Sequence, residues 1–131
     1  MTLLRGYIFS RPFLGERAPQ HIQNIILRDY CKKRNFIFLL SATEYAMEGS
    51  NLILNQIVDD IDDVDGIVAY SLFQLPEDDM ERASVISKVL GKGKSIHFAV
   101  EGLIINDKQT HKACEMLWKL KEIERFTPKE L

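Results

Sequence analysis

The chain has 131 residues, 46% of them hydrophobic and 27% charged, with a formal net charge of −2. That is enough for one domain around one core, and the balance excludes a strong field drawing the chain to nucleic acid or to an anionic membrane. No apolar run reaches the roughly 18–20 residues of a membrane helix, and the N-terminus lacks the long apolar core of a signal peptide.

Gly6–Ser10 has strand composition and runs into a polar loop, Ser10-Arg11-Pro12, where Pro12 has no N–H to continue a ladder and Gly15 lets the chain turn back. Pro19–Arg34 is predicted as a helix. Ile22, Ile25, Ile26 and Tyr30 recur at helical spacing, and Lys32, Lys33 and Arg34 are cations in its last turn, where the helix dipole favours them. Phe36–Leu40 is a continuous apolar run, read as a strand buried on both faces. Ser41–Gly49 is loop-like. Leu52–Ile61 is a second helix with Leu52, Ile53, Ile57, Val58 and Ile61 on its apolar side. Asp59, Asp60, Asp62, Asp63 and Asp65 follow without the alternating ligands, central Gly and closing Glu of a calcium loop, so they read as a solvated helix end and turn.

Gly66–Leu72 is the third strand, and Phe73–Asp79 a loop. Glu81–Leu90 is a helix stopped by Gly91 and Gly93. The Gly91-Lys92-Gly93-Lys94 stretch lacks phosphate-loop spacing and precedes a strand, so it reads as a turn. Ser95–Val100 is the fourth strand, closed by Glu101-Gly102, and Leu103–Ile105 is a candidate short extra strand. Lys108–Arg125 is the last helix, with Ala113, Leu117, Leu120 and Ile123 inward and Trp118 beside them, and the tail Phe126–Leu131 is expected to fray. Cys31 and Cys114 stand far apart, outside any CxxC or Cys/His cluster, and read as buried thiols of a cytoplasmic protein; no metal site and no cofactor are expected.

Strands alternate with helices four times. This predicts an α/β fold, residues 1–131 forming a single domain with a mostly parallel four- to five-stranded sheet and helices on both faces, in the manner of flavodoxin-like and resolvase folds. Ligands of such sheets collect at the carboxyl ends of the strands. Strand one brings Ser10 and Arg11 there, strand two Ser41 and Glu44, strand three Tyr70 and Ser71 with Gln74 following, and strand four Glu101, with His97 on the same face by alternation. Glu44 is the first candidate for acid/base work, then Glu101 and His97, with Ser10 a nucleophile if a base lies in reach. Arg11, Arg17 and Arg28 can hold an anion through a planar fork. Gln23, Tyr70, Ser71 and Gln74 complete the candidate binding set.

Several stretches carry a family resemblance: Arg5–Phe13, Gln23–Cys31, Ser41–Met47, Asp65–Pro76 and His97–Glu101. Together they resemble the sporadic carbohydrate cluster proteins of bacterial surface-polysaccharide and lipopolysaccharide gene clusters. That resemblance implies a cytoplasmic setting and a sugar or nucleotide-sugar ligand. The expected function is then an enzyme of polysaccharide biosynthesis working by acid/base chemistry. Its alternative is a non-catalytic assembly partner of such enzymes. The expected partners are a sugar or sugar-nucleotide, without nucleic acid and without membrane insertion. A partner enzyme or a second copy would dock on the last helix through Trp118 and Leu120.

A second resemblance concerns the fold. A strand ending in Tyr7-Ile8-Phe9-Ser10, a Gln-bearing helix and a strand followed by a Leu-containing loop resemble the catalytic domain of serine recombinases. It implies that Ser10 matches the serine that attacks DNA. The arginine expected just before that serine is replaced by Ile8 and Phe9, and the cationic loop after strand three by Phe73-Gln74-Leu75-Pro76-Glu77. A phosphodiester transition state then lacks its main electrostatic support, so the second alternative is a degenerate serine-recombinase-like protein.

Overall fold

The computed structural model describes residues 2–13, 17–47 and 49–126. The turn expected at Gly15 and the tail beyond residue 126 lie outside the described residues. Five strands form one sheet: β1 (Leu3–Phe9), β2 (Ile37–Glu44), β3 (Gly66–Ala69), β4 (Ser95–Phe98) and β5 (Leu103–Ile105). Their order is β2-β1-β3-β4-β5. The first four pair in parallel, and β5 returns antiparallel on β4. The helices are α1 (Gln20–Lys33), α2 (Leu52–Asp59), α3 (Asp79–Gly91) and α4 (Lys108–Phe126). The predicted α/β architecture is therefore the observed one.

The two faces are covered unequally. α2, α3 and α4 build the larger core, where Leu54, Ile57, Val85, Ile86, Val89, Cys114 and Trp118 meet Tyr7, Phe9, Ile67 and Phe98 of the sheet. α1 alone covers the other face, with Leu27, Tyr30 and Cys31 packed on Leu4, Ile8 and Val68. Both cysteines are buried free thiols, one in each core, and burial pushes each up to about 11.

Several expectations change. β2 continues to Glu44, so Ser41 and Glu44 belong to a strand rather than a loop, and β2 is the sheet edge. Leu40 is accordingly 73% exposed: an apolar run in an edge strand does not mean burial on both faces. The β1–β2 register shifts between Arg5 and Tyr7. There the strands approach so closely that a Cβ at Gly6 would overlap the Ser41 hydroxyl and lie 2.8 Å from the Phe38 ring.

The apolar stripes of α1 and α4 are rotated from the predicted ones. On α1 the buried residues are Gln23, Leu27, Tyr30 and Cys31, while Ile22, Ile25 and Ile26 face outward. On α4 Cys114 and Trp118 are buried, while Leu117, Leu120 and Ile123 are exposed. Trp118 decides that phase by packing edge-on against Phe73, with ring centroids 5.2 Å apart, and beneath the buried Arg82 guanidinium at 4.3 Å.

β3 and β4 are shorter than predicted. Ser71 caps a 3-10 turn over Leu72–Gln74, and the chain turns at Ala99–Gly102. α3 begins two residues earlier than expected, because the Asp78 carboxylate accepts the Glu81 N–H at 2.9 Å as its N-cap. Gly93, with φ +72°, occupies the left-handed conformation after α3. The acidic stretch is the predicted solvated helix end, with Asp59, Asp60, Asp62, Asp63 and Asp65 all exposed.

Candidate functional site

Strand order alone brings Glu44, Ser10, Ser71 and Glu101 to one edge, since β2, β1, β3 and β4 are successive parallel neighbours. There the polar groups form two pairs and a bridge. Ser10 Oγ donates to the Glu44 carbonyl at 2.7 Å, and Ser71 Oγ donates to Glu101 Oε2 at 2.7 Å. Between them lie Gln23 and Gln74, both fully buried. Gln74 Nε2 donates to Gln23 Oε1 at 2.8 Å. Gln23 also binds both backbone groups of Phe9, accepting from its N–H and donating to its carbonyl at 3.0 Å each. Gln74 Oε1 accepts the N–H groups of Tyr70 and Ser71. Each amide thus satisfies strand-end backbone that would otherwise be buried without partners.

Glu44 is the most heavily engaged group. Its Oε1 accepts from Tyr7 Oη at 2.8 Å and from the Leu54 N–H at 3.1 Å. Its Oε2 accepts from Ser50 Oγ at 3.0 Å, the Ile53 N–H at 3.1 Å and the Tyr45 N–H at 3.4 Å. Ile53 and Leu54 are in the first turn of α2, so a fully buried carboxylate closes that helix N-terminus from the neighbouring strand. Five donors occupy its lone pairs, leaving no position for a substrate proton. Burial and the adjacent Glu44 charge push the Tyr7 hydroxyl far above its ordinary range, so Tyr7 remains a donor to Glu44. Glu101 is engaged in the same way, accepting the Leu72 N–H at 2.8 Å as well as the Ser71 hydroxyl.

Of the cations, Arg11 joins this edge. Its Nη1 donates to the Tyr45 carbonyl at 2.8 Å, its Nη2 to the Ser50 carbonyl at 2.9 Å, and its plane lies over the Phe9 ring at 4.3 Å. Arg17 is exposed on the segment before α1. Arg28 is exposed on α1, its guanidinium 5.8 Å from the Phe38 ring centroid. Tyr70 packs edge-on against Phe13 with centroids 6.1 Å apart.

His97 does not reach the site. β4 ends at Phe98, so the alternation expected to link His97 to Glu101 stops short. His97 is buried on the α1 face, hydrogen-bonded through Nδ1 to Tyr30 Oη at 2.8 Å and through Nε2 to Ser95 Oγ at 3.0 Å. Burial first, and Arg34 second, lower it to about 4. Among the described residues no group of three or more His, Cys, Asp and Glu is placed to hold a metal ion.

Past the end of β1 opens a cavity of about 620 Å³, walled by Phe9, Phe13, Phe73 and Leu75 and rimmed by Glu77, Asp78 and Glu81, with Arg11 at one side. The sequence reading placed Glu77 and Asp78 in a loop and passed over them. The signal available was three successive acids, Glu77-Asp78-Asp79, directly after the strand-three turn.

Comparison with protein-family models finds no match, and comparison with curated proteins finds none either. Solved structures do match. The N-terminal catalytic domain of TP901-1 integrase superposes with a TM-score of 0.62 at 16% identity, covering 92% of this chain and 96% of that one. A resolvase family site-specific recombinase from Streptococcus pneumoniae superposes with a TM-score of 0.61 at 11% identity, covering 92% and 89%. The fold is therefore that of serine recombinase catalytic domains.

These findings correct the sugar reading. Nothing matched supports the carbohydrate cluster family, the polysaccharide and lipopolysaccharide setting, or a sugar ligand, and the fold likeness runs to an integrase and a site-specific recombinase instead. The expectation that nucleic acid plays no part is corrected by the same likeness. Among the described residues, no helix is long and apolar enough to cross a membrane.

Proposed function

We propose that this chain is a degenerate serine-recombinase-like protein, which engages DNA without cutting it. Residues 1–131 act in this reading as one folding unit. Ser10 follows β1 directly, where the fold resemblance puts the attacking serine. One observation carries the loss of cleavage: the Ser10 hydroxyl is held on the Glu44 carbonyl, and Arg11, the only cation among the described residues that line the adjoining cavity, already donates to two loop carbonyls. A carbonyl orients a hydroxyl but takes no proton from it, and cleavage of a phosphodiester needs cations aimed at the charge that develops. That cavity is lined by the carboxylates of Glu77, Asp78 and Glu81.

The fold likeness supports the DNA side of the reading, and exposed cations on α1 give it a surface. Arg28 and Lys32 are exposed there, away from the strand ends. Binding of this kind is electrostatic, weak and steeply salt-dependent.

The test uses labelled duplex DNA and supercoiled plasmid. Expected are a mobility shift that fades with salt, a weaker shift for Arg28→Ala with Lys32→Ala, no nicked plasmid and no covalent adduct on a denaturing gel. A protein–DNA adduct that disappears in Ser10→Ala would overturn the non-cleaving assignment. Absence of any shift at low salt would overturn DNA engagement.

A further inference from the structure

At the β2 edge the sheet presents main-chain groups with no neighbouring strand. Ile37 donates its N–H inward to the Thr2 carbonyl at 2.8 Å, so by alternation Phe38 and Leu40 turn their N–H groups outward. Sheet edges are commonly blocked by charged residues or proline. Residues 37–43 carry neither, and Leu40 is exposed. The block that exists comes at the far side of Leu40. There the β1–β2 register shifts, and Arg5 Nη1 donates to the Leu40 carbonyl at 2.9 Å. Open backbone therefore lies before that point.

A groove runs beside this edge. It is a cavity of about 570 Å³ between β2 and α2, lined on the strand side by residues 40–43. On the helix side Ile53 and Ile57, one turn apart, form an apolar wall. Gln56 and Asp60, also one turn apart, form its exposed outer rim, and Asp63 continues that rim past the end of α2. Arg5 is the cation among the described lining residues, and its guanidinium is tied to the Leu40 carbonyl. The groove thus offers unpaired strand backbone along one side, an apolar wall along the other, and negative charge at one end.

We propose that the β2 edge and this groove together receive an extended peptide of another protein, added to the sheet as a further strand. Main-chain hydrogen bonds to Phe38 and Leu40 hold it. Its alternate apolar side chains lie against Ile53 and Ile57, and a basic residue meets Asp60 and Asp63. The edge selects an extended segment because a helix has already used its main-chain groups internally. Alternation along a strand then delivers one row of side chains to the groove and leaves the other row outside it. α1 packs on the opposite face of the sheet from α2, so this assignment does not depend on whether DNA binds at α1.

The probe is the synthetic peptide acetyl-Lys-Val-Thr-Val-Thr-Val-Lys-amide, titrated into the full chain and followed by amide chemical shifts and hydrogen exchange. Shifts should centre on residues 38–43 and 53–57, and exchange at the Phe38 and Leu40 amides should slow. Two N-methylated versions test the pairing itself. Neighbours along a strand point their N–H groups to opposite sides, so methylating the valines or methylating the threonines blocks the edge in only one of the two cases. One version is expected to bind at least about tenfold more weakly than the parent, and the other about equally. Replacing both lysines by glutamate should weaken binding about fivefold at low salt, and the difference should shrink at high salt. Each of these arms uses the unaltered chain, so misfolding of a variant does not enter. The proposal is overturned by no binding of the parent peptide, by shifts centred elsewhere, by equal effects of the two methylation patterns, or by a glutamate peptide that binds as well as the lysine one. A chain that sediments as a dimer with the Phe38 and Leu40 amides already protected would overturn it as well, since a second copy would then occupy the edge.

Discussion

Two groups of carboxylates lie at the same end of the sheet and do opposite things. Glu44 is fully buried and saturated by five hydrogen-bond donors, and the half-buried Glu101 accepts from the Ser71 hydroxyl and the Leu72 N–H. Glu77, Asp78 and Glu81 line the cavity mouth and are exposed. The first group substitutes for backbone acceptors that the strand ends and the α2 N-terminus lack; the second sets the charge seen by an incoming molecule. Residue type is the same in both, so the role of a carboxylate here is decided by how many N–H and O–H groups the fold aims at it.

The sharpest way to break the comparison is to remove Glu44. Glu44→Ala leaves the Tyr7 hydroxyl, the Ser50 hydroxyl and the Ile53 and Leu54 N–H groups without their acceptor. Each buried unsatisfied donor costs about 1–3 kcal/mol, and water entering the gap recovers part of that. A loss of at least about 3 kcal/mol in urea unfolding is expected on these grounds. Glu44→Gln should lose less, because its amide oxygen still accepts. A Glu44→Ala variant of unchanged stability would show that the carboxylate is not structural and would restore it as a catalytic candidate.

The bridge between the two buried pairs comes next. Gln23→Ala and Gln74→Ala each strand backbone groups, and they share the 2.8 Å amide–amide contact. A double-mutant cycle should therefore give a coupling of about 1–2 kcal/mol, within the range for contacting buried residues. Additivity would mean that the seam is two independent braces and not one continuous network.

How much of this the sequence revealed depends on the physics behind each feature. The strand–helix alternation and the convergence of Ser10, Glu44, Ser71 and Glu101 were readable, because a parallel sheet puts all carboxyl ends on one edge. The helix phases were not. α1 carries Ile22, Ile25 and Ile26, yet it buries Gln23 instead, since that amide answers the Phe9 backbone. Periodicity counts apolar residues and cannot see a polar one recruited to satisfy a strand end. The bracing by Glu44 was hidden for the same reason: its partners are mostly backbone N–H groups, which every residue has and no sequence pattern marks. Two acids of the rim were visible as Glu77-Asp78, but only the folded chain shows them lining an aromatic cavity.

A third expectation separates both carboxylate groups from the opposite face. His97 is neutral when folded, lowered to about 4 by burial and by Arg34, against about 6.5 in the unfolded chain. Between these values the unfolded state binds the extra proton, so stability rises with pH there. The contribution is fully present above about pH 6.5, is lost progressively as pH falls towards about 4, and is flat below that. Thermal midpoints measured from pH 7 to pH 4.5 should fall more steeply for the native chain than for His97→Gln. Parallel slopes would mean that His97 takes up its proton equally readily in the folded and the unfolded chain.

The smallest effect should come from the rim, and it makes the contrast most pointed. Glu81→Gln removes one charge from an exposed side chain. The Glu81 substitution keeps an oxygen that can still accept from Asn51, and the N-cap on α3 comes from Asp78, which is untouched. Unfolding free energy should therefore change by no more than about 0.5 kcal/mol, the usual span for surface substitutions. If the variant instead unfolds as readily as Glu44→Ala, Glu81 belongs with the buried braces, and the division between carboxylates that hold the fold and carboxylates that face solvent collapses.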